Sequence, residues 1–253
     1  MVIEGFEKEK EKFYILHELF INNHPSIKTD NKSFVVGKES NNKIWVWTKE
    51  NIEEEKLIEV QKIIEEELSF NTLRVICKDE VYYYLQKNKD ITIDSFKMGI
   101  LICYELNEVE KAVGFIEKSN YGDKLPLARL CQESYHELSG QDIPMTEALT
   151  IAEAWIDDDN FYVWKLEDGK IVATAKFEQK KDIEIITQVF TLKEERGKGF
   201  CKSLIYEITK IIQSENRIPV LYTDYLNEIS NHIYEKLGYK DFGYLRFLKI
   251  NKE

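Results

Sequence analysis

Between Val189 and Ile212 the chain reads VFTLKEERGKGFCKSLIYEITKII: an extended run, a short charged turn holding two glycines, and an amphipathic helix. Spacing dictates the helix, because Phe200, Leu204, Ile208, Ile211 and Ile212 stand at i, i+4, i+8, i+11 and i+12 and share one face. Its first turn is expected over Gly199 to Ser203. Such an end carries backbone N–H groups with no intrahelical acceptor, and the aligned peptide dipoles add a partial positive charge. Arg196, Gly197, Lys198 and Gly199 bring two cations and a bare backbone to the same point, which suits a phosphate or pyrophosphate. Glycine is what permits the close approach.

Two familiar phosphate loops are excluded by one residue. A dinucleotide fingerprint begun at Gly197 needs glycine or alanine at position 202, and a P-loop needs glycine there, but the residue is Lys202. The stretch fits R-x-x-G-x-[GA] over Arg196, Gly197, Lys198, Gly199, Phe200 and Cys201, with cysteine as the final small residue. It resembles motif A of the GNAT superfamily of acyl-CoA-dependent N-acyltransferases. A second stretch carries the resemblance further. Ile218 to Thr223 reads as a strand, and a helix follows from Asn227 with Ile229, Ile233, Tyr234 and Leu237 expected on one face, ended by Gly238. The family signs this helix with Asn, a Tyr seven residues on, and Gly-Phe or Gly-Tyr; here these are Asn227, Tyr234, and Gly238 with Tyr239. Two independent motifs on the expected elements point to one family.

Composition narrows the partners. The 253 residues are 43% hydrophobic, enough for one large or two modest domains. With 35 Lys and Arg against 46 Asp and Glu the net charge is -11, which argues against nucleic acid as the main partner. The first residues, MVIEGFEKEKEKFY, hold no apolar core of a signal sequence, and no stretch approaches eighteen apolar residues, so a cytoplasmic protein with no membrane partner is expected. Cys77, Cys103, Cys131 and Cys201 form no C-x-x-C pair and the histidines are scattered, so neither a disulfide framework nor a metal site is expected.

The fold class expected is α+β, in two domains at residues 1–108 and 109–253, joined in the polar stretch Asn107 to Lys111. In the first, helices are expected over Glu4 to Phe20 and Ile52 to Leu68, the latter with Asn51 and Glu54 as a capping pair, and over Glu80 to Lys87. Strands are expected at Lys43 to Thr48, Leu73 to Lys78 and Ile100 to Leu106. This half has no glycine turn, so it is either an eroded copy of the GNAT fold, as in tandem members of the superfamily, or an unrelated α+β unit. In the second half a strand at Val113 to Glu117 precedes helices at Leu125 to Glu137 and Glu147 to Asp157, the latter capped by Thr146. A hairpin then pairs Phe161 to Leu166 with Ile171 to Phe177, and Ile183 to Thr191 forms the central strand. The resemblance implies a mixed, mostly antiparallel sheet flanked by helices.

The resemblance also implies acetyl-CoA as cosubstrate. Its pantetheine would lie on the backbone of Val189 and Thr191, and its pyrophosphate on Arg196, Gly197, Lys198, Gly199, Phe200, Cys201 and Lys202. Asn227 and Ser230 would contact the pantetheine end. The acceptor is a primary amine that the loop Glu137 to Met145 does not identify. Direct attack on a thioester needs a base and an acid. Glu184 and Asp224 are candidate bases, and Tyr234 is the expected acid because a phenol suits a thiolate. The rival function is a non-catalytic acyl-CoA-binding regulatory module.

Overall fold

A computed structural model describes residues 2–40, 42–68 and 72–252 of the chain. The helices are α1 Glu4–Glu7, α2 Tyr14–Ile21, α3 Glu54–Glu67, α4 Asp79–Leu85, α5 Lys124–Ser139, α6 Met145–Ile156, α7 Phe200–Ser214 and α8 Glu228–Lys236. The strands are β1 Lys28–Thr29, β2 Phe34–Ser40, β3 Lys43–Thr48, β4 Thr72–Cys77, β5 Ile91–Ile102, β6 Phe115–Lys118, β7 Phe161–Lys165, β8 Ile171–Gln179, β9 Ile183–Thr191, β10 Ile218–Asp224 and β11 Lys240–Lys252. The class is α+β. The chain divides into two compact units, residues 1–100 with 223–227 and 242–253, and residues 101–222 with 228–241.

In the first unit β2 pairs antiparallel with β1 and β3, β3 parallel with β4, and β4 antiparallel with β11, from Cys77↔Arg246 to Thr72↔Asn251. The C-terminal strand therefore completes the sheet begun by the first hundred residues, which differs from a split at residue 108. Apolar residues alternate to the two faces of these strands. Val36, Val46, Val75, Leu248 and Ile250 pack with Val60 and Ile64 of α3 and Val81 and Leu85 of α4. Phe6 of α1 packs against Trp47, with ring centroids 5.2 Å apart. The single helix expected over Glu4 to Phe20 is broken between α1 and α2. Asn51 is no cap: it sits at φ 51°, and the residue before α3 is Glu53 with no side-chain cap bond.

In the second unit β6, β7, β8 and β9 run antiparallel in that order, and β10 joins β9 in parallel. One face is covered by α5 and α6, where Leu127, Ala128, Cys131, Ala148, Ala152 and Trp155 meet Phe161, Val163, Ile171 and Phe190. On the other, Phe200, Leu204, Ile208 and Ile212 of α7 meet Ala173, Ala175, Phe177 and Ile186. Burying each such aliphatic side chain contributes roughly 2 kcal/mol before the entropy cost. The 3.6-residue period of α7 thus docks it under β9 and fixes where its N-terminus emerges. Tyr234 and Leu237 bury one side of α8 in the same cluster, whereas Ile229, expected on that face, is 79% exposed. Gly238 ends α8 at φ 97°, and a Cβ there would lie 2.3 Å from the Glu105 carbonyl oxygen, so only glycine fits. Thr146 lies inside α6, whose N-cap is Pro144. No helix among the described residues is long and apolar enough to cross a membrane.

Candidate active site

The parallel pairing of β9 with β10 runs from Ile183↔Ile218 to Ile186↔Leu221, while β9 continues to Thr191. Beyond Ile186 the strand is held by β8 alone. There it bulges: Lys176 faces Thr187 and Thr174 faces Phe190, so Gln188 and Val189 together oppose Ala175, and Gln188 takes φ 51°. At the same point the Thr187 Oγ1 is buried with no hydrogen-bond partner among the described residues.

Past Thr191 a 3-10 turn at Lys193–Glu195 leads to Arg196, then to Gly197 at φ 78° and Gly199 at φ 83°. Both glycines hold left-handed backbone that L side chains avoid. A Cβ at Gly197 would meet nothing within 4 Å, and at Gly199 only the Ala112 Cβ at 3.8 Å, so their outer surface is open. The first helical bond of α7 is Ser203 N–H to Gly199 O at 3.0 Å, which leaves the amides of Phe200, Cys201 and Lys202 without an intrahelical acceptor. Ser203, fully buried, steadies the turn: its hydroxyl donates to the Gly199 carbonyl at 3.0 Å and accepts the Ala112 N–H at 2.8 Å. A serine inside an apolar helix face carries no sequence signal for that task.

The side-chain charges differ from expectation. Arg196 donates to Glu137 of α5 at 2.6 Å and, through Nε, to the Thr191 carbonyl at 3.0 Å. Lys198 pairs with Glu195 at 2.7 Å, and the buried Glu195 also holds Lys170 at 2.5 Å. Hydrogen bonds from Lys170 and then Lys198 draw the Glu195 carboxyl below its ordinary pKa. Both expected cations are thus compensated, because carboxylates distant in sequence or one helical turn away reach them first. Lys202 has no carboxylate partner among the described residues. The Phe200 side chain lies in the core, so only its backbone is available.

Tyr234 is buried, and its hydroxyl has no hydrogen-bond partner among the described residues. Burial, followed by the neighbouring Cys201 thiol, pushes the phenol well above its ordinary pKa. Burial likewise pushes Cys201 up to about 11, although a hydrogen bond to Thr191 opposes it. Tyr234 and Cys201 share the cluster beneath α7, and Cys201 reaches Thr191 at the end of β9. Val189 and Thr191 are half-buried on the stretch of β9 that has left β10. Ser230 is half-buried on the first turn of α8, whereas Asn227 is exposed and, like Asp224, belongs to the first unit.

Glu184 is not brought to this place. It lies at the start of β9, seven residues from Thr191, or about 23 Å of extended strand. There it is fully buried, with Arg217 Nε 2.5 Å from Oε1 but without hydrogen-bond geometry, and Oε2 has no partner among the described residues. Burial raises its pKa, and the Arg217 charge opposes the shift. A carboxylate so placed holds an arginine at the start of β9, three residues before Thr187.

Residues 125–239 match the model of the Acetyltransferase (GNAT) family. This region is a GNAT acetyltransferase domain. Solved structures extend the likeness over both units. An acetyltransferase of the GNAT family from Colwellia psychrerythraea is 9% identical with a TM-score of 0.58, covering 98% of this chain and 97% of that one. A GCN5-related N-acetyltransferase from Kribbella flavida is 12% identical with a TM-score of 0.56, over 95% of each chain. Another from Sphaerobacter thermophilus is 16% identical with a TM-score of 0.56, over 87% of this chain and 76% of that one. At such identities the likeness is one of fold. No curated protein matches the sequence.

Proposed function

We propose that the GNAT domain transfers an acetyl group from acetyl-CoA to a primary amine by direct attack. The observation that carries the reading is the departure of β9 from β10 after Ile186, continued into a turn whose two left-handed glycines present open backbone and free amides. An orphaned hydroxyl at Thr187, a strand beyond it that no longer pairs with β10, and a helix start that favours anions fit a long ligand with polar amides and a pyrophosphate. Under this reading Val189 and Thr191 hold the pantetheine by backbone, and the amides from Gly197 to Lys202 hold the pyrophosphate. The charge-compensated Arg196 and Lys198 mainly shape the turn. Tyr234 protonates the departing thiolate, and Ser230 serves the pantetheine end. A base must also take the proton of the attacking amine. The first unit, which has no glycine turn of this kind, is assigned a structural or substrate-shaping part.

Thiol release from acetyl-CoA in the presence of a panel of polyamines, aminoglycosides, amino acids and lysine peptides tests the proposal. Amine-dependent release supports an enzyme. Tight acetyl-CoA binding with no release across the panel would favour the non-catalytic module.

A further inference from the structure

We propose that Thr187 is a catalytic residue, its hydroxyl donating a hydrogen bond to the acyl carbonyl oxygen of the bound thioester. This rests on the acyl-donor reading above and adds to it a side chain that no motif marks. Three features converge on the one position. Ile186 is the last residue of β9 paired with β10, Thr187 is the first beyond it, and Gln188 next to it is held at φ 51° in the bulge. Left-handed backbone at a non-glycine residue is a cost that folds retain where geometry matters. The Thr187 Oγ1 is buried there and has no partner among the described residues.

A buried hydroxyl without a partner is destabilising, and valine would keep the β-branched shape without that cost. The neighbouring polar side chain does not explain it. Lys176, opposite Thr187 on β8, is engaged by Asp158 at 3.2 Å and Glu178 at 3.6 Å. A ligand atom is then the missing partner. On a stretch of strand assigned to a thioester-bearing chain, the atom that gains most from an O–H donor is the carbonyl oxygen, because it gathers negative charge as the amine adds. The hydroxyl keeps its proton throughout and only strengthens its bond as that charge develops.

Isotope-edited infrared spectroscopy with [1-13C]acetyl-CoA reads the contact without needing the acceptor amine. In the full-length protein the labelled carbonyl stretch should fall below that of free acetyl-CoA. In Thr187→Val the downshift should be lost, and in Thr187→Ser retained. Calorimetry should show acetyl-CoA binding weakened about two- to tenfold in Thr187→Val while CoA itself binds as before. The melting temperature should be equal or higher, an outcome that a purely structural hydroxyl would not give. Thr187→Ala provides the same reading should the valine variant fold poorly. A downshift in Thr187→Val or Thr187→Ala as large as in the wild type overturns the proposal and leaves the acyl-donor reading standing. Failure of the wild type to bind CoA overturns both.

Discussion

Arg196 and Glu137 lie 2.6 Å apart, joining the glycine turn to the last turns of α5. The same helix holds the turn a second time, through Glu133, which accepts the Lys193 N–H at 3.0 Å. The carboxylate at 137 competes with any anion for the guanidinium. Glu137→Gln should therefore tighten CoA binding, but by no more than about fivefold, because both partners are about two-fifths exposed and such pairs are worth under about 1 kcal/mol. Calorimetric titration of the variant checks it. Weaker binding would mean that Glu137 orients Arg196 for the ligand instead of withholding it.

Tyr234→Phe should lower turnover roughly ten- to a thousand-fold once an acceptor is in hand, with acetyl-CoA affinity and melting temperature little changed. The hydroxyl has no hydrogen-bond partner among the described residues, so its loss leaves nothing unsatisfied. Its raised pKa keeps the phenol protonated at all ordinary pH values. Turnover equal to wild type would return Tyr234 to the core.

Much of this was legible in the chain. Alternation and β-branched residues mark β9 to the residue, Ile183 to Thr191, and the period of α7 gives the docked face that aims the glycine turn. What failed was long-range or hidden. β2 escapes notice because Gly37 interrupts its apolar run; a Cβ there would stand 2.6 Å from Leu16 Cδ1 and 2.8 Å from Ile27 Cδ1, so those side chains pack against the bare backbone. The first half of β5 alternates between half-buried and exposed positions, too weak a pattern to read as a strand. The return of β11 to pair with β4 depends on partners far apart in sequence, so a cut near residue 108 leaves the first unit without a strand. The setting of Glu184 is hidden for the same reason, since a carboxylate on the central strand reads alike at either end. Only packing shows Arg217 beside it.

Stability in acid should depend on Asp30. Partial burial raises its pKa, but the backbone amides of Ser33, Lys32 and Phe34 outweigh that and bring it down to about 2. A depressed carboxyl contributes stability that is present above its unfolded value near 4 and is lost as pH falls through 2. The contribution is about 2 kcal/mol. Chemical denaturation of Asp30→Asn between pH 5 and pH 2 should show the variant less stable at the upper end, with the difference closing at the lower. A difference that stays constant with pH would rule out this source.

Removing Arg217 should unmask the buried Glu184. Arg217→Met leaves a carboxylate with neither water nor counter-charge, at a cost on the order of 3 kcal/mol at neutral pH. Burial already raises the Glu184 pKa. The folded state therefore binds the proton more tightly than the unfolded one, and the variant should regain stability as pH falls through that raised value. The double variant Glu184→Met with Arg217→Met should recover most of the loss at pH 7 and show no such pH dependence. Retained wild-type stability in the single variant would mean that water reaches the carboxylate.

The glycine turn as an anion seat is tested most directly by titrating CoA into the wild type, Arg196→Ala and Gly199→Val, each first shown to be folded by its melting curve. Gly199 stands at φ 83° with open space above it, so a β-branched side chain both opposes the backbone conformation and covers the approach to the free amides. Saturable binding is predicted for the wild type, a fall of a few-fold for Arg196→Ala, and a fall of at least about tenfold for Gly199→Val. Equal affinity in all three proteins would contradict the account.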